Sequence, residues 1–231
     1  MREIILDTET TGLDPNEGHR LVEIGCVEMI DRTPTGGTWH KYFYPERDMP
    51  VEAFNVHGLS SEFLADKPLF KDLAQEFVAF VGDAQLVIHN AGFDMRFLNA
   101  ELKRVNLAIL PLDRVVDTLA MARRKHPGAR ASLDELCQRY GIDNSKRVKH
   151  GALLDAEILA EVYIELTGGR QTALSLASIS AATVARAAAG AIKRRPTPLA
   201  SRIRPEERAA HEAFIATLGD QAIWKKYGNE G

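Results

Sequence analysis

The stretch EIILDTETTG, residues 3–12, decides how this sequence is read. EIIL (3–6) is a short apolar run suited to a buried strand, and it leads directly into two carboxylates. Side chains alternate along a strand, so Asp7 and Glu9 fall on one face. A solvated strand end accommodates such a pair, so these two acids alone decide nothing. Thr10, Thr11 and Gly12 then mark where the strand leaves its sheet.

Outward from that strand, LDPNEGHR (13–20) is turn chemistry, and LVEIGCVEM (21–29) is a second strand rich in apolar residues. TWHKYFYP (38–45) makes a third strand after a turn at PTGG (34–37). Three closely spaced strands with short turns predict an antiparallel meander. The texture then changes. PLFKDLAQEFVAFVG (68–82) has apolar residues at helical spacing and a terminal glycine, and LVIH (86–89) is a short buried strand. FDMRFLNAELKRV (93–105) is helical and RVVD (114–117) strand-like. SLDELCQRY (132–140) is helical, with Ser132 as N-cap and Glu135 completing a capping box. HGALLDAEILAEVYIELTGG (150–169) closes as a strong helix stopped by two glycines. A meander followed by alternating helix and strand predicts an α/β mixed sheet flanked by helices.

Composition narrows the setting. The 231 residues, 45% of them hydrophobic, support one sizeable core and an appendage. No run approaches the ~20 apolar residues of a membrane span, and the first residues lack the pattern of a signal peptide. Cys26 and Cys137 lie in separate apolar stretches, which predicts reduced core thiols and a cytoplasmic protein. Residues 1–170 hold 20 Lys+Arg against 27 Asp+Glu, a net of −7, while 171–231 hold 9 against 5, a net of +4. So acidic a domain does not bind polyanions through its bulk charge; an anionic substrate needs bound cations or a partner to bring it in. After Gly169 the composition shifts. Residues 171–200 contain ten alanines and neither aromatic nor acidic residues, which reads as a flexible linker. RPEERAAHEAFIATLG (204–219) is a short helix with Pro205 in its first turn, and Trp224 and Tyr227 follow it.

Two further carboxylates sit where a core is expected. Asp94 falls on the apolar stripe of Phe97, Leu98 and Leu102, and Asp155 on that of Ile158, Leu159, Val162 and Leu166. A carboxylate on such a stripe costs several kcal/mol unless a cation satisfies it. No Lys or Arg stands out as the partner of either, and a helix N-terminus offers only about 0.3–1 kcal/mol. Four misplaced carboxylates, Asp7, Glu9, Asp94 and Asp155, fit a site for divalent metal better than four separate caps. Hard oxygen ligands suit Mg²⁺ or Mn²⁺. His150 precedes Asp155 by five residues; within one helix the two would point about 140° apart. His150 therefore reaches the site from the loop before the helix, where an imidazole, whose ordinary pKa of about 6.5 lies near working pH, suits a general base. The chemistry this assembles is phosphoryl transfer with two divalent ions.

DTETTG (7–12), HNAGFD (89–94) and HGALLDA (150–156) resemble, in order and spacing, the three motifs of the DEDDh 3′–5′ exonucleases. EAFNVHGL (52–59) and DNSKRVKHGALLDAEILAEVY (143–163) are similar to that family's epsilon, or proofreading, subunits of bacterial DNA polymerase III. The resemblance covers residues 1–169 and implies a ribonuclease H-like fold. It implies Asp7, Glu9 and Asp155 as direct ligands of two Mg²⁺ or Mn²⁺ ions, Asp94 as a ligand through water, and His150 as the base. It also implies Thr10, Glu52 and His57, with Asp7, Glu9 and Asp155, against the 3′-terminal nucleotide of a single strand. Asp117 in VVDTL matches another frequent family acid, and its reading here is structural. Relatives with the same five residues degrade RNA, so sugar preference stays open at this point. QTALSL (171–176) resembles the peptide that docks in the bacterial sliding clamp, through Gln171, Leu174 and Leu176. The tail, with Phe214, Trp224 and Tyr227, implies the polymerase alpha subunit as partner. The chain thus divides into an exonuclease domain (1–170), a linker with the clamp-binding peptide (171–203) and a polymerase-binding segment (204–231). A ribonuclease of the same family, or a module that mainly bridges clamp and polymerase, are the competing readings.

Overall fold

Strand β1 spans Arg2–Thr10, so it carries both carboxylates and ends at the threonines expected to mark its exit from the sheet. The computed structural model describes residues 1–147, 149–169 and 203–219. β1 is the central strand of a five-stranded sheet in the order β3-β2-β1-β4-β5, where β2 is Leu21–Ile30, β3 Thr33–Tyr42, β4 Gln85–Ile88 and β5 Val115–Asp117. β1, β2 and β3 form an antiparallel meander, whereas β4 runs parallel to β1 and β5 parallel to β4. The turn expected at PTGG lies elsewhere. Asp31 and Arg32 make it, both at positive φ (50° and 64°), and Pro34 to Gly37 belong to β3. β3 is an edge strand, which spares Pro34 a ladder hydrogen bond that it could not donate.

Alternation along β1 separates two cores. Ile4 and Leu6 join Phe70, Phe77, Phe97, Leu98 and Leu102 from helices α3 (Phe70–Val81) and α4 (Ala91–Arg104) on one face. Ile5, with Val87, meets Ala122, Leu136, Ala156 and Leu159 on the other. These last come from α5 (Thr118–Lys125), α6 (Leu133–Tyr140) and α7 (Ala152–Leu166). Each fully buried Leu, Ile, Val or Phe among them contributes about 1.5–3 kcal/mol of transfer free energy, so the sheet is clamped from both sides. Two short helices, α1 (Val51–His57) and α2 (Ser61–Leu64), connect the meander to α3. In α6 the Ser132 hydroxyl accepts from Glu135 N–H at 3.3 Å, but the reciprocal half of the expected capping box is replaced. The Glu135 carboxylate lies 3.6 Å from Arg130.

Three features place the end of β1. β4 stops at Ile88, opposite Leu6, so Asp7 to Thr10 run on beyond their parallel neighbour. Gly25 pairs with Asp7 across the antiparallel ladder, and a Cβ there would lie 2.2–2.4 Å from the backbone of Ala152 and Leu153. Only glycine lets the first turn of α7 come this close to the sheet. Farther along α7, the Tyr163 hydroxyl donates to the buried Glu3 carboxylate at 2.7 Å and fixes the helix along β1. Both cysteines are buried and free. Among the described residues no helix is long and apolar enough to cross a membrane.

The chain divides into two units, 1–174 and 175–231. In the second, helix α8 spans Pro205–Thr217, carries Pro205 in its first turn and buries none of its residues. Gln171, Leu174, Leu176, Trp224 and Tyr227, and most of the expected linker, lie outside the described residues.

Candidate active site

Past the end of β4, a cleft of about 1080 Å³ opens around the last residues of β1. Asp7, Glu9, Thr10, Glu52, His57, Asp94, His150 and Asp155 all line it, so the residues singled out in residues 1–169 share one site. Glu9, Asp94 and Asp155 are 7%, 4% and 2% exposed, while Asp7 is partly open to the cleft. Asp94 stands in the first turn of α4 and accepts from the Thr8 hydroxyl at 2.7 Å. Asp155 stands in the first turn of α7, and its stripe position buries it over the sheet. One ligand atom from each of Glu9, His150 and Asp155 falls within 4.8 Å of the others, a spacing that one metal ion can span.

The electrostatics of this set are adverse without a cation. Burial, then the neighbouring Asp94, Glu9 and Asp155, hold the Asp7 carboxyl well above its ordinary range. Burial and the facing Glu23 push Glu9 up to about 8. Burial pushes Asp94 up to about 7, with the Thr8 hydrogen bond opposing it. Asp155 differs. Burial alone would raise it, yet the neighbouring His150 and the Arg147 guanidinium outweigh that and hold it below its usual value.

Arg147 is what the sequence reading missed. No cation stood out near Asp155, but the Arg147 guanidinium engages both its oxygens, Nε to Oδ1 at 2.5 Å and Nη2 to Oδ2 at 2.8 Å. Nη1 donates to both oxygens of Asp134 at 2.8 Å, and Nη2 lies 2.7 Å from His150 Nδ1. The side chain is 8% exposed. A guanidinium only donates, so this contact makes His150 Nδ1 an acceptor and leaves the ring proton on Nε2. His150 comes from the loop before α7 as expected, tied by its backbone N–H to Val56 O at 3.3 Å and lying 3.3 Å from Asp155 Oδ2.

Helix α1 lines the cleft beside His150. His57 is 6% exposed; its Nδ1 accepts from Leu59 N–H at 3.0 Å, and its Nε2 finds no hydrogen-bond partner. Burial lowers its pKa, so a neutral ring presents an unpaired N–H donor. Glu52 is exposed in the first turn of α1. The Thr10 hydroxyl donates to Gly12 O at 2.6 Å, and a Cβ at Gly12 would strike the His19 ring at 2.2–2.6 Å. Asp117 caps α5, accepting from Leu119 N–H at 2.9 Å, and also accepts from Asn90 N–H at 3.2 Å. His89, Phe93, Arg123 and Arg130 extend the lining and were not singled out from the sequence. Phe214 of the second unit is 59% exposed on α8.

The family model described as "Exonuclease" matches residues 4–163. The DNA polymerase III subunit epsilon of Rickettsia felis is 49% identical over 223 residues, covering 94% of this chain and 97% of the relative. That of Salmonella typhimurium is 46% identical over 239 residues, covering 97% of each. Among solved structures, the nuclease domain of 3′hExo, a DEDDh family member bound to rAMP, superposes with a TM-score of 0.63. It is 17% identical and covers 72% of this chain and 91% of that one, a likeness of fold.

Proposed function

The chain belongs to the exonuclease family, in its DNA polymerase III epsilon branch, and we propose on that footing that it removes 3′-terminal nucleotides from DNA as the proofreading subunit of a bacterial replicase. The observation that carries this reading is the convergence of Asp7, Glu9, Asp94, Asp155 and His150 on one cleft at the end of β1.

The donor set fits divalent cations. Its oxygens are hard, its carboxylates crowd one another, and two of them are pushed up to about 7 and about 8 in the absence of a counter-charge. Asp7, Glu9 and Asp155 would hold Mg²⁺ or Mn²⁺ directly and Asp94 through water. Bound there, two such ions would supply an ionised attacking water and a counter-charge for the phosphodiester. The remaining work falls to the chain. His150 takes the proton of the attacking water. For that, Nε2 must offer its lone pair, with Nδ1–H turned to Asp155 Oδ2, 3.3 Å away. His57 Nε2–H and the turn at Thr10–Gly12 grip the last nucleotide, and Glu52 closes over it from α1. Products are nucleoside 5′-monophosphates.

The exonuclease domain is residues 1–170, the linker 171–203 and the polymerase-binding segment 204–231. Gln171, Leu174 and Leu176 dock on the sliding clamp, while Phe214, Trp224 and Tyr227 meet the polymerase alpha subunit. The exposed Phe214, on a helix that buries none of its own residues, and the exposed Leu218 capping that helix support a partner surface there. The protein acts in the cytoplasm, in keeping with its two free thiols.

The test is hydrolysis of a single strand labelled at its 5′ end, as DNA and as RNA of one sequence, with Mg²⁺ and with EDTA. Stepwise shortening of DNA from the 3′ end that needs the cation supports the reading. Activity indifferent to EDTA, or to Asp7→Asn, overturns it, and a clear preference for RNA moves the substrate to the ribonuclease alternative.

A further inference from the structure

Arg147 spans two environments. One edge of its guanidinium engages both oxygens of the buried Asp155, and the other engages both oxygens of Asp134, whose side chain is 57% exposed at the rim. The same Nη2 reaches His150 Nδ1 at 2.7 Å. A carboxylate held through both oxygens by a planar fork keeps only its outer, anti lone pairs, so a second cation could not chelate it and would sit against the guanidinium charge. The Asp155 end of this arrangement is also the corner where ligand atoms of Glu9 and His150 approach within 4.8 Å. Arg147 and a divalent ion therefore claim the same oxygens. His150 is engaged too, since an Nδ1 that accepts from Arg147 leaves Nε2 protonated and without the lone pair that a base needs.

We propose that Arg147 is an internal counter-cation, which closes the metal corner of the metal-free chain and must leave Asp155 and His150 before a divalent ion binds there. The inference rests on the metal-site reading above and adds a direction to it. The chain's own cation competes with the metal instead of preparing a place for it. Arg147 lies in the loop between α6 and α7, so its backbone is not held by either helix. Asp134, at the start of α6, takes Nη1 in the same pose and so helps to hold the guanidinium against Asp155. Arg147 is in this sense a positioning residue for Asp155 and His150.

Mn²⁺ titration of the full chain stripped with EDTA, followed by calorimetry or by the spin signal of free Mn²⁺, tests the proposal without recourse to activity. Arg147→Gln should bind Mn²⁺ about tenfold tighter than the parent or more, equivalent to roughly 1.4 kcal/mol. Its metal-free melting temperature should fall, and the rise on adding Mn²⁺ should be larger than for the parent. Asp134→Asn, which removes only the rim anchor, should tighten Mn²⁺ binding in the same direction. It decides the matter if Arg147→Gln does not fold. Unchanged or weaker Mn²⁺ binding in the folded variants would mean that Arg147 prepares Asp155 for the metal, and would overturn the proposal alone. A parent chain that binds no Mn²⁺, or binds it as well after Asp7→Asn, would overturn the metal-site reading and this inference with it.

Discussion

Raising the pH should weaken the metal-free protein, and a divalent cation should cancel the loss. Glu9 sits at about 8 against an ordinary 4.5, Asp94 at about 7 against 3.8, and Asp7 is raised as well, all chiefly by burial. An acid whose pKa is raised by folding keeps a proton that the unfolded chain has already released. Stability from that proton is complete below the unfolded pKa and is lost as pH climbs through the folded value. Each pKa unit is worth about 1.36 kcal/mol per proton. Between about pH 6.5 and pH 8, Glu9 alone thus withdraws about 2 kcal/mol, and Asp94 and Asp7 add to it. His57 and His89 act with the opposite sign because burial lowers them, but their effect ends near the unfolded value of about 6.5. The window above it therefore isolates the carboxylates. For a chain of this size about 2 kcal/mol moves the melting temperature by roughly 4–8 °C. Thermal unfolding followed by circular dichroism, in excess EDTA and in excess Mg²⁺, gives the measurement. In EDTA the midpoint should fall across the window, while in Mg²⁺ the fall should shrink or reverse, because the bound ion keeps the carboxylates ionised. Glu9→Gln should flatten the EDTA curve. A midpoint in EDTA that stays level or rises from pH 6.5 to pH 8 would refute the claim that these carboxylates are held against their own repulsion.

Asp7→Asn should lower the hydrolysis rate by roughly three orders of magnitude or more, as expected when several kcal/mol of metal-derived stabilisation disappears. In EDTA at pH 8 the same variant should melt no lower than the parent, so steady-state rates and melting curves together separate chemistry from folding. Gly25→Ala places a methyl 2.2–2.4 Å from the backbone that opens α7. It should cost about 1–3 kcal/mol by overpacking and shift Asp155; a kcat equal to the parent's, measured on the folded fraction, would count against that coupling. Deletion of residues 171–231 should leave the rate on free single strands unchanged while abolishing co-elution with the polymerase alpha subunit. Loss of both would show that the two parts are not independent.

How far the site could be read from the sequence follows from where periodicity exists. EIIL, LVEIGCVEM and LVIH are apolar runs, and each forms a strand within a residue or two of its expected place. The four polar residues that end β1 are held in the sheet by β2, and their place is legible from the alternation of Asp7 and Glu9 and from the threonines and glycine that follow. Helix α1 escapes the sequence for want of such a signal. Val51, Phe54 and Val56 stay exposed, so VEAFNVH has no core-facing stripe to display. Thr118–Lys125 is eight residues ending in three cations, again too short for a period to emerge. Asp94 and Asp155 could be found because a helix has a period, and a charge that falls on its apolar stripe breaks it. Arg147 could not. A loop residue has no period to break, and its partners, thirteen residues before it and eight after, become neighbours only once α6 and α7 have packed. Yet the rule that a buried carboxylate needs a cation holds more strictly than it first looked. Asp155 has found its cation within the chain and keeps a low pKa. Asp7, Glu9 and Asp94 have not, and their carboxyls are driven up instead. Three arginines against seven carboxylates along its lining leave a deficit of positive charge in a cleft that must also admit a phosphate. That deficit is a stronger argument for divalent ions than any one of the four acids taken alone.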